Sequence, residues 1–172
     1  SSLSKNERIN RILQAAETIY TDAGIDSGSI SPVCFKIAYL QKQMIDEKLI
    51  RIKHRRWYRN KKIISIVDYT RKGNMARLAT IDLVNHKLLF DTLVSQGAGK
   101  SPTKNDKYLI PTFFSYTVNS EVSSLGMIVT KKARQTHNPC HLCKYALSQK
   151  HKDVVVLRGM ERGINDNVKK RD

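Results

Sequence analysis

Two helical patterns precede all of the strand-like segments in this 172-residue chain, and that order limits the folds open to it. Apolar residues recur at three- and four-residue intervals across Lys5–Asp22, which predicts an amphipathic helix with Gly24 as its stop. Ser31 and Pro32 suit an N-cap and a first helical turn, so a second helix is predicted from there to about Leu49. The helices are therefore expected at the start of the chain and not between strands.

The rest of the chain contains short segments that are β-branched or alternate between apolar and polar residues. Ile63 to Asp68 is strand-like, and Val84-Asn85-His86 is predicted as the tight connection of a hairpin. Further strands are predicted at residues 76–83, 87–95, 113–118, 126–130 and 154–157. Asn165-Asp166-Asn167 suits the cap of a last short helix. Helices followed by strands predict an α+β fold whose strands form a mainly antiparallel sandwich or barrel.

Several other organisations are excluded by what the sequence lacks. It contains neither a G-x-G-x-x-G motif nor a P-loop, and strands do not alternate with helices, so a dinucleotide-binding fold is not expected. No apolar run approaches the length needed to cross a bilayer. Residues 1–60 are predicted as a helical lead-in with a basic linker, and residues 61–172 as a β-rich core.

Positive charge dominates the composition, with 31 Lys and Arg against 15 Asp and Glu and a formal net charge of +16. Such a surplus favours association with polyanions, including nucleic acid, an anionic membrane surface and anionic wall polymers. A basic run around Trp57 and Tyr58 supplies candidate anion-binding residues: Arg51, Lys53, Arg55, Arg56 and Arg59. Cations beside aromatic rings suit phosphates and stacked bases, but a solvated linker has the same composition and is the favoured interpretation.

The three cysteines are Cys34, Cys140 and Cys143, an odd number that leaves at least one thiol without an intrachain partner. The last two form a C-x-x-C pair that follows His137 and encloses His141. One such pair is half of a structural zinc site and no second pair exists, so a metal site is disfavoured. A disulfide and two free thiols are the open alternatives. A catalytic thiolate is disfavoured, because one short loop rarely places both a cysteine and its histidine correctly.

Six short motifs occur in an order that resembles one branch of the murein L,D-transpeptidase catalytic domains, the YkuD-like domains. The matching residues are, in order, Ile63 to Asp68, Ile81-Asp82-Leu83, Val94 to Gly97, Phe114-Ser115, Ser123 to Gly126 with Thr130, and Leu157 to Asn167 with Arg171. The last of these is the most specific, and the resemblance extends from about Ser31 to Asp172. Gln96 departs from the family pattern, which has histidine there, and Lys131 to Lys152 is longer than that pattern.

The resemblance implies cysteine acyl transfer on peptidoglycan stem peptides, by an L,D-transpeptidase or an L,D-carboxypeptidase. A thiolate activated by histidine would attack the amide carbonyl next to diaminopimelate and release a terminal D-alanine. A second stem's amine or water would then resolve the acyl-enzyme. No organic cofactor or metal is implied. The family's catalytic histidine and cysteine motifs are not found within residues 1–172, so an incomplete catalytic domain is expected and enzyme activity of the chain itself stays open.

The resemblance also implies a substrate groove, for which Ser123, Ser124, Arg158 and Asn165 are the candidate residues. It implies a periplasmic or otherwise exported protein of the bacterial cell envelope, with peptidoglycan or another anionic envelope polymer as partner. The first alternative is a non-catalytic cationic module that holds such polymers. The second, less favoured, is a nucleic-acid binder built on the basic run. Nothing in the sequence predicts an oligomeric state.

Overall fold

The structure is a computed structural model, and it describes residues 3–26, 28–50, 58, 61–94, 96–97, 110–111, 113–115, 122–136 and 152–159. These residues contain two helices followed by five strands. All of the strand pairing among them is antiparallel. The predicted α+β class and the order of helices before strands are therefore confirmed. The chain divides into two compact units, one with both helices and the first three strands, the other with the last two strands.

Helix α1 (Lys5–Asp22) has the predicted bounds, and its two ends show why. The hydroxyl of Ser4 accepts a hydrogen bond from the backbone N–H of Glu7, and the Glu7 carboxylate accepts one from the backbone N–H of Ser4. This reciprocal capping box satisfies two N–H groups at the start of the helix. Gly24, the predicted stop, has a left-handed φ of 62°, a conformation that glycine adopts without steric cost.

Helix α2 (Pro32–Asp46) also begins where the sequence predicts. Its N-cap is Ser31, whose hydroxyl accepts a hydrogen bond from the backbone N–H of Cys34 at 3.2 Å. The helix ends three residues before the predicted Leu49. Lys48 there adopts a φ of 62°, which turns the backbone out of the helix.

Strands β1 (Ile63–Val67), β2 (Leu78–Asp82) and β3 (Lys87–Thr92) form an antiparallel sheet in that order. The predicted hairpin joins the last two through a turn over residues 83–86. The Asp82 carboxylate fixes this turn, because its Oδ1 accepts hydrogen bonds from the backbone N–H groups of Val84 and Asn85 at 2.9 and 3.0 Å.

The hydrophobic core of the first unit involves both helices and one face of the sheet. The sheet contributes Ile66, Ala79, Ile81 and neighbouring Leu83, and the helices contribute mainly Ile12, Ala16, Ile19, Phe35 and Tyr39. On the opposite face, the hydroxyls of Ser65 and Thr80 share a 2.8 Å hydrogen bond. Thr80 pairs across the sheet with Phe90, whose side chain is exposed. The alternation along β2 thus separates a buried face from an open one.

The second unit contains strands β4 (Ile128–Thr136) and β5 (Lys152–Gly159), which pair antiparallel. Both are longer than predicted, and β4 continues into the segment that exceeds the family pattern. The strand predicted over residues 113–118 is wrong for Phe113 to Ser115, which have no regular structure, and residues 116–118 lie outside the described residues. The predicted last helix at Asn165-Asp166-Asn167 lies outside them as well.

Neither described helix is long and apolar enough to cross a membrane.

Candidate functional site

Three of the motifs that resemble L,D-transpeptidases meet at Ser123 in the first unit. The backbone N–H of Gly97 donates a hydrogen bond to the Ser123 hydroxyl oxygen at 2.8 Å. The backbone N–H of Ser115 donates to the Ser123 carbonyl at 3.1 Å. Residues that are separated along the chain are therefore joined at one half-buried serine. We call Arg77, Gln96, Gly97, Ser115 and Ser123 the polar cluster.

Arg77 forms the buried side of the polar cluster, with none of its surface exposed to solvent. Its Nε and Nη2 atoms donate hydrogen bonds to the Val94 carbonyl at 3.0 and 2.9 Å. Its Nη1 atom donates to Gln96 Oε1 at 3.0 Å and to the Arg71 carbonyl at 3.1 Å. A buried charge is tolerated only when its polar atoms are satisfied, and these four bonds satisfy most of the guanidinium. The three acceptor oxygens, on Val94, Arg71 and Gln96, are neutral, so none of these bonds forms an ion pair with the guanidinium.

Two aromatic rings extend the polar cluster on the side of Arg77. The guanidinium carbon lies 5.2 Å from the centroid of the Tyr69 ring, within the range of a cation–π interaction. The Tyr69 ring contacts the Phe114 ring with centroids 5.6 Å apart and an interplanar angle of 58°. Arg77 therefore links the segment around Phe114 to the residues from Val94 to Gly97.

Asp68 is a second buried charge, directly after β1, with 1% of its surface exposed. Its Oδ2 accepts a hydrogen bond from the backbone N–H of Ser31 at 2.8 Å. Its Oδ1 accepts from the backbone N–H of Thr70 at 3.0 Å and from the Thr70 hydroxyl at 2.6 Å. Burial alone raises the pKa of Asp68, but these hydrogen bonds outweigh it and hold the pKa below its ordinary value. Asp68 is thus an anion that fixes the start of α2 to the sheet.

Cys34 is the one cysteine within the described residues, and it is a free thiol on α2. Burial raises its pKa to about 11, and the negative charge of Asp68 adds to the shift. A nucleophilic cysteine reacts as the thiolate, which is scarce at neutral pH when the pKa is this high. Cys34 is therefore a poor nucleophile and serves as a packing residue.

The predicted site residues fall in different parts of the structure. Ser123 belongs to the polar cluster, and Ser124 follows it as a half-buried residue. Arg158 lies in β5, in register with Val129 of β4. The remaining candidates lie outside the described residues: Asn165, the cations Arg51, Lys53, Arg55, Arg56 and Arg59, and the Cys140–Cys143 pair. Across the described part of the chain, no group of three His, Cys, Asp or Glu residues could hold a metal ion.

Sequence reasoning missed Arg77, the fully buried residue of the polar cluster. The signal that could have revealed it is its position just before β2, two residues before Ala79 and four before Ile81, in phase with the buried face of that strand. A charged residue in phase with buried positions is almost always paired or hydrogen-bonded. The partners themselves come from later segments, which the local pattern does not identify.

The fold and the polar cluster together define an α+β domain in which motifs from separate segments meet around a buried arginine. The family model for the L,D-transpeptidase catalytic domain matches residues 36–172, so the chain belongs to the L,D-transpeptidase catalytic-domain family. This membership confirms the resemblance in the sequence and gives the protein a peptidoglycan-related function at the level of the family. Comparisons with curated proteins and with solved structures find no match.

Proposed function

We propose that this chain provides the substrate-binding part of a domain that carries out L,D-transpeptidation or L,D-carboxypeptidation on peptidoglycan stem peptides. The observation that carries the proposal is the meeting of Gly97, Ser115 and Ser123, each from a different family motif. Motifs that only stabilise the fold can lie anywhere in it, whereas residues that bind one substrate have to be close together. The convergence therefore supports a shared binding role.

The proposed reaction follows the general chemistry of an activated thiolate. The sulfur attacks the amide carbonyl next to diaminopimelate, the C–N bond breaks, and D-alanine leaves with a proton. The amine of a second stem, or water, then attacks the thioester and releases the sulfur. Cys34 is unsuited to this role because its pKa is raised to about 11. Cys140 and Cys143 do not stand in the family's nucleophile motif, so we propose that the sulfur and its histidine lie outside residues 1–172.

The finer features of the proposal follow from the same family. Ser123, Ser124, Arg158 and Asn165 are proposed to line the substrate groove. The antiparallel strands are proposed to belong to a sandwich or barrel that is incomplete within residues 1–172, with 1–60 as the lead-in and 61–172 as the core. The protein is proposed to be exported and to act in the cell envelope, where its substrate is found.

Two measurements test this function. The coding sequence after Asp172 is expected to encode a strand ending in His-Gly and a turn ending in Gly-Cys. The protein that includes those residues is expected to release D-alanine from a diaminopimelate-containing tetrapeptide. Replacement of the Gly-Cys cysteine by alanine should abolish the release. A stop codon directly after Asp172 would instead remove the enzyme function.

The net charge of +16 favours a second candidate, a non-catalytic module that holds anionic envelope polymers. Such a module would bind isolated peptidoglycan sacculi with an affinity that falls steeply with salt, because exposed charges are screened. Binding that does not change between low and high salt would contradict this electrostatic mechanism. A nucleic-acid binder is the third candidate, and failure to shift single- or double-stranded probes at low salt would eliminate it.

A further inference from the structure

We propose that Ser123 donates its hydroxyl hydrogen to a carboxylate of the stem peptide, and that Arg77 is the residue that positions Ser123 for this contact. The inference rests on the proposed function and deepens it, because it names the group of the peptide that the polar cluster recognises. It makes Ser123 a specificity-determining residue.

The hydrogen bonds of Ser123 define what its hydroxyl can do. The oxygen accepts from the backbone N–H of Gly97 at 2.8 Å, and the Ser123 carbonyl accepts from Ser115 at 3.1 Å. Neither of these bonds, which the described residues provide, uses the hydroxyl hydrogen. A serine hydroxyl has one hydrogen to donate, and an oxygen that already accepts from one side directs that hydrogen elsewhere. Because Ser123 is only half-buried, a ligand oxygen can reach it.

Arg77 controls the direction of the Gly97 N–H that orients this hydroxyl. Its planar guanidinium donates two hydrogen bonds to the Val94 carbonyl and one to Gln96 Oε1. These acceptors belong to the residues three positions and one position before Gly97. Two N–H groups of a rigid guanidinium that converge on one carbonyl oxygen restrain its position more tightly than a lysine ammonium, which acts as a single point charge. The Tyr69 ring holds the guanidinium from another side. Arg77 thus restrains the Val94 carbonyl and the Gln96 side chain, and through them the backbone that carries the Gly97 N–H.

The charge of Arg77 selects the chemistry of the ligand. Its three acceptor oxygens are neutral, and the buried Asp68 carboxylate is hydrogen-bonded to Ser31 and Thr70 instead, so no hydrogen bond of Arg77 neutralises its positive charge, which adds to the potential around the polar cluster. In a partly buried site such a charge favours an anion over a neutral oxygen. A hydroxyl donor in the same polar cluster as a buried cation therefore suits a carboxylate more than an amide carbonyl, and the stem peptide carries free carboxylates.

The first test compares two probes on the full chain. One is the diaminopimelate tetrapeptide with free carboxylates, the other the same peptide with its carboxylates amidated. Binding is measured by calorimetry at about 0.5 M salt, where the long-range attraction of the surface charge is screened. The wild type is expected to prefer the free acid by about tenfold or more, as for a charge-assisted hydrogen bond. Ser123→Ala should reduce this preference by about fivefold, and Ser123→Thr should restore it.

Control variants separate the inference from a general loss of structure. Ser65→Ala removes a serine hydroxyl on the open face of the sheet and should keep the wild-type preference. If the Ser123→Ala variant has the melting temperature of the wild type and the same preference for the free acid, the inference is overturned and the proposed function is left intact. A wild type that binds neither probe would overturn both.

The positioning role of Arg77 has its own readout. Arg77→Lys is expected to shift the NMR resonance of the Gly97 amide and to reduce the preference for the free acid, whereas Arg11→Lys, at an exposed position of α1, should change neither. If Arg77 acts through Ser123, the double variant Arg77→Lys/Ser123→Ala should have the same preference as Ser123→Ala alone. An unshifted Gly97 resonance together with an undiminished preference, or additive losses in the double variant, would refute the positioning role.

Discussion

The Asp68 carboxylate accepts a 2.8 Å hydrogen bond from the backbone N–H of Ser31, the N-cap of α2. The residue that follows β1 is thereby joined to the N-cap of a helix, 37 residues earlier in the chain. The arrangement is favourable because the N-terminal end of a helix carries a partial positive charge and unsatisfied N–H groups. The contact fixes the start of α2 to the end of β1, and Asp68 also donates its backbone N–H to the carbonyl of Arg77 in the polar cluster at 2.8 Å.

Replacing Asp68 by asparagine should destabilise the protein in a pH-dependent manner. The carboxylate accepts three hydrogen bonds in a buried site, so Asp68→Asn is expected to lower the free energy of unfolding by about 2 kcal/mol at pH 7. The folded-state pKa of Asp68 lies below the ordinary value of 3.8. Its stabilising effect is therefore complete above that value and is lost as the pH falls through the lower folded-state pKa.

Urea denaturation of both proteins between pH 7 and pH 3 measures this difference. The gap between wild type and Asp68→Asn should be constant at neutral pH and should narrow as the carboxylate protonates. Asp91→Asn, which alters an exposed carboxylate on β3, is the matched control and should stay close to the wild type throughout. A gap as large in strong acid as at neutral pH would contradict the ionised role of Asp68.

The thiol of Cys34 should react slowly with alkylating reagents in the folded protein. Its pKa is raised from 9.0 to about 11, which lowers the thiolate fraction at pH 8 by about 100-fold. Peptide mapping after iodoacetamide treatment, with and without urea, gives the rate for this cysteine apart from Cys140 and Cys143. We expect the urea-unfolded chain to react at least 100-fold faster. Similar rates in the two states would show that Cys34 is an accessible thiolate.

The buried ion pair on α2 should respond differently to the loss of each partner. The Lys42 ammonium lies 2.6 Å from Asp46 Oδ2, and the Lys42 side chain is only 6% exposed. The Asp46 side chain is 18% exposed, and its Oδ1 forms a second ion pair with the Lys61 ammonium at 3.7 Å. In Lys42→Met, the Asp46 carboxylate keeps the ammonium of Lys61 nearby and remains partly exposed to solvent. Asp46→Ala leaves a buried ammonium without its nearest anion, which costs about 3 kcal/mol where such pairs are broken.

Thermal and urea unfolding of the two variants give the comparison. Lys42→Met is expected within about 1 kcal/mol of the wild type, and Asp46→Ala should be less stable than Lys42→Met. Glu17→Ala, which breaks the more exposed pair with Lys36, is the control and should have little effect. Equal losses for Lys42→Met and Asp46→Ala would contradict the difference in burial.

The parts of this fold that follow from local sequence were predictable, and the polar cluster was not. Helix α1 was predicted with its observed bounds because its apolar spacing and its Gly24 stop are encoded within a few residues. Strand β4 was predicted too short because residues 131–136 are mostly polar and contain a single β-branched residue, Thr136, and pairing with β5 extends the strand nonetheless. The contact of Gly97 with Ser123 joins residues 26 positions apart, and no local pattern specifies it.

Introducing the family's histidine at position 96 should make the stability of the protein dependent on pH near neutrality. Arg77 donates to Gln96 Oε1 at 3.0 Å from a fully buried guanidinium. A neutral imidazole nitrogen can accept the same bond, but a protonated imidazole cannot and would face a permanent cation. The pKa of the new histidine is therefore expected to be lower in the folded protein than its ordinary value of about 6.5.

A histidine whose pKa is depressed by folding binds its proton more readily in the unfolded chain, so Gln96→His should lose stability as the pH falls below about 6.5. The loss should approach about 1.4 kcal/mol per pH unit until the folded-state pKa is reached, while the wild type should not share it. Gln14→His, at an exposed position of α1, is the matched control. Urea unfolding between pH 7.5 and pH 5 distinguishes them. If the two histidine variants have parallel pH profiles, Arg77 does not act on residue 96 as its contact distance indicates.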